Sequence, residues 1–134
     1  MATKYQAVKH EFNEAVKRLE EVMKEKKNEF IRDSAIKRFE LAFDLSWKAI
    51  KAFLEEQGVT CSSPMSCFKE AYRQGVLEYK DVWISMVETR NKTVHTYDMK
   101  LAEEVYSTLP KALEAFQKLS LILENKHMRR FVSF

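Results

Sequence analysis

Apolar positions recur along this chain at steps of three and four, the spacing of one helix face. Val8, Phe12, Ala15, Leu19 and Val22 step by 4, 3, 4 and 3, which predicts a first helix ending at or turning through the polar run KEKKNE, residues 24–29. Ile36, Phe39, Phe43, Trp47, Ile50 and Leu54 step by 3, 4, 4, 3 and 4. Leu41, Leu45 and Phe53 widen that stripe, so the second helix is expected to be buried on more than one side. Gly58 can end it in the left-handed conformation that favours glycine.

Val59 to Ser63 reads as a loop. Ser63 followed by Pro64 reads as an N-cap and a proline at the first helical position. A short helix with Phe68, Ala71 and Tyr72 then stops at Gly75. Asp81 is placed to cap a fourth helix carrying Trp83, Met86 and Val87 towards Val94. Asp98 is placed to cap the last helix, where Leu101, Val105, Leu109, Ala112, Phe116, Leu119 and Leu123 share a face. Pro110 falls inside this pattern and is expected to kink or restart the helix. Four long helices, one short one and short connections make an all-α, antiparallel up-and-down bundle.

Composition narrows the function. With only 2 Gly in 134 residues there is no glycine-rich phosphate loop, and an all-β fold lacks its turns. Lys and Arg number 23 against 20 Asp and Glu, and three of the basic residues, Lys126, Arg129 and Arg130, lie in the acid-free stretch 126–134. The body, 1–125, is therefore neutral, read as one domain followed by a basic tail, 126–134. A neutral body gives no broad field for capturing long nucleic acid, though a local basic site remains open. Cys61 and Cys67 fit no zinc spacing and are expected to be reduced, structural thiols. The start has no apolar core of the signal-peptide kind, and no stretch nears the roughly 18 apolar residues of a membrane span. A cytoplasmic location is the expectation.

Chemistry concentrates in ETRNKTVHTYD, residues 88–98. Trp83, Val87, Arg90, Val94 and Tyr97 follow helical spacing, which puts Arg90 on the apolar side between two valines. Alone, that reads as a core or interface arginine paired with a carboxylate from another helix. Glu88, Asn91 and His95 form a separate polar line, in which Glu88 or Asn91 can fix the imidazole tautomer. Arg90 and His95 point about 140° apart on a straight helix. Either the helix ends near His95 and the chain turns, or two copies of the segment face one another.

An arginine and a histidine suit metal-free phosphoryl transfer on RNA. The histidine moves the proton of the attacking 2′-hydroxyl, and the arginine stabilises charge on the phosphate oxygens. No metal-ligand set is visible in the sequence. An Arg-x4-His pair is expected about 0.16 times by chance at this composition, and the pair with a Tyr two residues on about 0.006 times. The full string is therefore the informative signal.

Arg90 to Tyr97, RNKTVHTY, resembles the Arg-x4-His-x-Tyr motif of HEPN domains. RFELAFDLSWKAIKAFLEEQG, Arg38 to Gly58, and ETRNKTVHTYDMKLAEEVY, Glu88 to Tyr106, are similar to the nucleotidyltransferase substrate-binding protein family, a HEPN branch. The resemblance implies a helical bundle that dimerises and acts with a separate small nucleotidyltransferase. It further implies a metal-independent ribonuclease toxin, with no cofactor, in which Arg90 and His95 are catalytic. Tyr97 would be the residue that the partner adenylylates, with Glu88 and Asn91 in support. The alternative is a non-catalytic substrate-binding or adaptor subunit of a two-component nucleotidyltransferase.

Overall fold

A computed structural model describes residues 3–125 with their side chains and the backbone as far as Val132. The side chains of the basic tail lie outside the described residues. The helices are α1 (Lys4–Met23), α2 (Glu29–Glu56), α3 (Pro64–Arg73), α4 (Lys80–Lys92) and α5 (Met99–Val132), with a 3₁₀ turn, Thr93–His95, between the last two. The expected all-α antiparallel bundle is what forms. Among the described residues no helix is long and apolar enough to cross a membrane.

Local chemistry sets most of the helix starts. Thr3 and Gln6 form a reciprocal capping box on α1. Asn28 accepts from the Ile31 N–H at 2.8 Å to open α2, and Ser63 with Pro64 opens α3 as expected. Asp98 Oδ1 accepts from the N–H groups of Lys100 and Leu101, so it does start α5. Asp81 does not cap α4. The helix begins two residues earlier than such a cap requires, at Lys80, and Asp81 sits in its first turn, where a carboxylate is favoured by the positive end of the helix dipole. α5 is continuous through Pro110, which excludes the expected restart.

Side-chain pairs give the packing direction. Along α1, Lys9, Asn13 and Glu20 meet Glu124, Ser120 and Gln117 of α5, so these two helices run antiparallel. Phe116 is the hub of the core. Its ring lies 6.0 Å from Phe12 of α1, 6.0 Å from Phe39 of α2 and 5.8 Å from Trp83 of α4. Phe68 of α3 joins Phe43 to Trp83, with ring centroids 5.7 and 4.9 Å away. That aromatic chain fixes the height of α4 against α2. Leu41 departs furthest from the α2 pattern, being 46% exposed, and Leu45 and Trp47 are only partly buried, while Ala35, Ala42, Ser46 and Ala49 are fully buried. Small residues there let neighbouring helices approach.

The cysteines are not reduced. Cys61 and Cys67 form a disulfide, with Cα atoms 5.1 Å apart. Ser63 and Pro64 turn the chain abruptly into α3. The preceding loop is thereby folded back beside the first turns of α3, within bridging distance of Cys67. Spacing alone does not reveal this reversal.

At the opposite end of α2, the buried Arg32 donates to Glu103 of α5 at 3.1 Å and to Asp33 at 3.0 Å, and Lys27 also donates to Glu103. The hydrogen bond from Lys27, then that from Arg32, hold the Glu103 carboxyl below the usual carboxylate range. A depressed carboxylate stabilises the fold above its unfolded value and loses that contribution as pH falls through its folded one. Acidification should therefore lower the melting temperature of the wild type more than that of Glu103→Gln. Parallel acid limbs in thermal melts of the two proteins would remove Glu103 as a contributor.

Candidate functional site

The fourth helix ends earlier than its apolar spacing suggests. α4 stops at Lys92 and the chain tightens into the 3₁₀ turn Thr93–His95. A tighter turn advances each residue further round the axis, so the inward position falls on Thr93, which is 4% exposed. Val94 and Tyr97, expected on the buried side, are 65% and 81% exposed. The helix ends and the chain turns through His95, as the first of the two geometries open from the sequence expects.

Arg90 remains on the inward side, about a quarter exposed, and it meets carboxylates from another helix. Its Nε donates to Asp44 Oδ1 and its Nη2 to Asp44 Oδ2, both at 3.4 Å. Nη1 donates to Thr93 Oγ1 at 3.0 Å, and the Thr93 hydroxyl donates in turn to the Arg90 carbonyl at 2.8 Å. Glu40 Oε2 is 4.0 Å from Nη1, beyond hydrogen-bond range, and is itself paired with Lys37 at 3.5 Å. A guanidinium has five N–H donors. Two go to Asp44 and one to Thr93, so two remain uncommitted among the described residues. A planar fork held at three of its donors presents the other two in a fixed direction.

His95 and Tyr97 are brought together. Tyr97 Oη lies 3.4 Å from His95 Nδ1, and the rings meet edge to face with centroids 5.9 Å apart. Both side chains are exposed. The phenol can donate to Nδ1 or accept from it. When Nδ1–H donates to Oη, Nε2 is left as a proton acceptor facing away from the tyrosine. Glu88 and Asn91 are exposed, and neither hydrogen-bonds His95. The turn after Lys92 takes His95 off the polar line it would share with them on a straight helix.

A groove of about 480 Å³ opens beside Arg90, lined by Phe43, Asp44, Trp47, Pro64, Val87, Arg90, Asn91 and Val94. Asn91 belongs to this groove rather than to the imidazole. Asp44 and Thr93 are the site residues that periodicity does not single out, and Trp47, which its spacing assigns to the core, borders the groove. The signal for Asp44 was the cost of a half-buried arginine, which demands a carboxylate partner without saying which. Among the described residues no three or more His, Cys, Asp or Glu side chains converge on one point.

Fold and site together define a helical-bundle protein with an arginine held by a carboxylate near the end of one helix, and a histidine and tyrosine paired at the turn that follows. The chain belongs to the family described as nucleotidyltransferase substrate binding protein like, whose model matches residues 7–125. A crystal structure of a Thermus thermophilus protein is 32% identical, covers 81% of this chain and 94% of its own, and superposes with a TM-score of 0.76. A Haemophilus influenzae structure, described as revealing the fold of a substrate-binding domain of a nucleotidyltransferase, is 22% identical. It covers 90% of this chain and 96% of its own, with a TM-score of 0.67, and so shares the fold. The probable ribonuclease HepT of Haemophilus influenzae is 30% identical over 80 residues, 56% of this chain. The match spans about half the length of that curated relative, 55%.

Proposed function

We propose that this chain is a metal-independent ribonuclease, the toxin half of a toxin–antitoxin pair whose other half is a separate small nucleotidyltransferase. The observation that carries this reading is the end of α4. There Arg90 is oriented by Asp44 and Thr93 with two donors uncommitted, and His95 is held at Nδ1 by Tyr97. In the reaction, His95 Nε2 takes the proton of a ribose 2′-hydroxyl as its oxygen attacks the adjacent phosphorus. The bond from phosphorus to the 5′-oxygen breaks, and the imidazolium returns a proton to that leaving oxygen. Arg90 stabilises the charge gathering on the non-bridging oxygens. The name of the Haemophilus influenzae relative, a probable ribonuclease, supports this class of activity. The test is cleavage of RNA by purified protein in chelator, wild type against His95→Ala.

The second reading is a non-catalytic substrate-binding or adaptor subunit of a two-component nucleotidyltransferase. It is favoured by the carboxylates around Arg90, which leave the groove without a strong positive field, and by the family's description. Wild-type protein that binds the nucleotidyltransferase and cleaves no RNA selects it.

Either reading is compatible with a homodimer built on the end of α4. Val94 is 65% exposed and Met99 56%, apolar surface beside the histidine that a second copy can cover. Val94→Asp is expected to weaken self-association by at least about tenfold, the loss from a charge introduced into an apolar contact. Sedimentation velocity checks it: a wild type that stays monomeric at micromolar concentration sinks the dimer.

A further inference from the structure

We propose that the groove beside Arg90 is a nucleotide subsite, which takes one unstacked base of single-stranded RNA against Trp47 and its phosphate on Arg90. The choice of RNA as ligand rests on the ribonuclease reading. The site itself is argued from what lines it.

One part of the groove is apolar and aromatic. Trp47 and Phe43 of α2, Pro64 at the start of α3, and Val87 and Val94 from the end of α4 contribute to it. Trp47 is half-buried, while the other tryptophan, Trp83, is only 3% exposed and packs on Phe68 and Phe116. Trp47 packs against the edge of the core and is the indole left partly open to the groove. By spacing it belongs to the core, and in the fold it borders the groove. Aromatic side chains at such places stack bases without regard to sequence, because every base has a π face.

The other part of the groove is polar. Arg90 keeps two N–H donors after Asp44 and Thr93 are served, enough for two oxygens of one phosphate. Asn91 adds an amide with both donor and acceptor character, suited to a base edge or a ribose hydroxyl. Asp44 is neutralised by Arg90 and Glu40 by Lys37, so the acids of α2 do not bar an anion outright. A ligand that unites a flat apolar face with a phosphate one sugar away is a nucleotide. An acidic peptide supplies the anion without the flat face. The volume, about 480 Å³, lies within the range of small-ligand sites. Arg90 lies in the last turn of α4, and His95 closes the 3₁₀ turn that follows.

The experiment uses a 2′-O-methyl RNA octamer, which has no nucleophilic hydroxyl and so reports binding without cleavage. Titration is expected to quench the tryptophan fluorescence of the wild type, whereas inorganic phosphate leaves it nearly unchanged. The quench should vanish in Trp47→Phe, which retains an aromatic wall but leaves only the buried Trp83. Trp47→Ala should bind the octamer about tenfold more weakly by anisotropy, the loss expected for one stacked base. Melting temperatures within a few degrees of wild type exclude unfolding as the cause.

Three results overturn the subsite: a quench that persists in Trp47→Phe, wild-type affinity in Trp47→Ala, or emission that responds to protein concentration and not to RNA. The last would mean that a second copy fills the groove. Octamer binding that behaves as expected while His95→Ala cleaves RNA like wild type leaves the subsite standing. It removes the histidine mechanism alone.

Discussion

Arg90→Ala and His95→Ala should each lower RNA cleavage by about two to four orders of magnitude, the range for a lost transition-state donor or a lost proton-transfer group. Both should keep the fold. His95 is exposed, and its hydrogen bond and ring contact are to the equally exposed Tyr97, so truncation removes no core packing. Arg90 is nearer the core, but its partner Asp44 is 40% exposed and can be rehydrated when the guanidinium goes. Arg90→Lys should be nearly as slow as Arg90→Ala. An ammonium cannot hold both Asp44 oxygens and Thr93 while offering two further donors. Asp44→Asn should fall between: the charge of Arg90 remains, but one edge of its fork is no longer held by paired acceptors. The rate constant for cleavage should drop by about tenfold, with RNA affinity nearly kept, the signature of an interaction that acts in the transition state. The assay is single-turnover cleavage in chelator, with circular dichroism on each variant. Wild-type rates in His95→Ala would take His95 out of the mechanism. Loss of helicity in Arg90→Ala would instead make the Arg90–Asp44 pair a structural strut.

The fold was legible because helical periodicity and caps agree along most of the chain. The α5 stripe from Val105 to Leu123 is buried at every step, and Ser63, Pro64 and Asp98 open their helices where their chemistry says they should. Periodicity failed where the backbone left the α-helix. Val94 and Tyr97 match the spacing of Trp83 and Val87, yet the 3₁₀ turn hands their inward place to Thr93. Nothing in the residues from Lys92 to His95 is a strong breaker. The turn leads into the Asp98 cap of α5, and no residue type within it announces it. The motif residues were legible by identity, and their neighbours were not. A half-buried arginine calls for a carboxylate, but α2 offers Glu40 and Asp44 a turn apart, and only the packing of α4 on α2 selects Asp44 for the fork. The disulfide was hidden for the same reason, since it depends on a chain reversal that two cysteines six positions apart do not encode.

If the proposed partner adenylylates Tyr97, the proposed ribonuclease activity should fall to about the level of His95→Ala, and Tyr97→Phe should be immune to it. In the proposed modifying step the Tyr97 phenol oxygen would attack the α-phosphorus of ATP, the bond to the β-phosphate oxygen would break, pyrophosphate would leave, and the phenol proton would pass to a base of the partner enzyme. Tyr97 is 81% exposed, so its hydroxyl is within reach of another protein. Two effects then fall on His95. The modified oxygen has no proton to donate to Nδ1 and is a poor acceptor, so the hydrogen bond at 3.4 Å is lost. The attached phosphodiester also places a negative charge beside the imidazole, in the turn that follows Arg90, where an RNA phosphate would have to approach. The size of the effect separates the two. Tyr97→Phe loses the hydrogen bond alone and should cleave only a few-fold more slowly, the worth of one exposed neutral hydrogen bond. The modified wild type adds charge and bulk and should fall much further. Intact mass after incubation with the cognate nucleotidyltransferase and ATP reads the modification, and cleavage by the same sample reads its consequence. A mass gain that persists in Tyr97→Phe would put the adenylyl group elsewhere. A modified protein that cuts RNA at the unmodified rate would end the switch, since the charge would then stand beside His95 without hindering it.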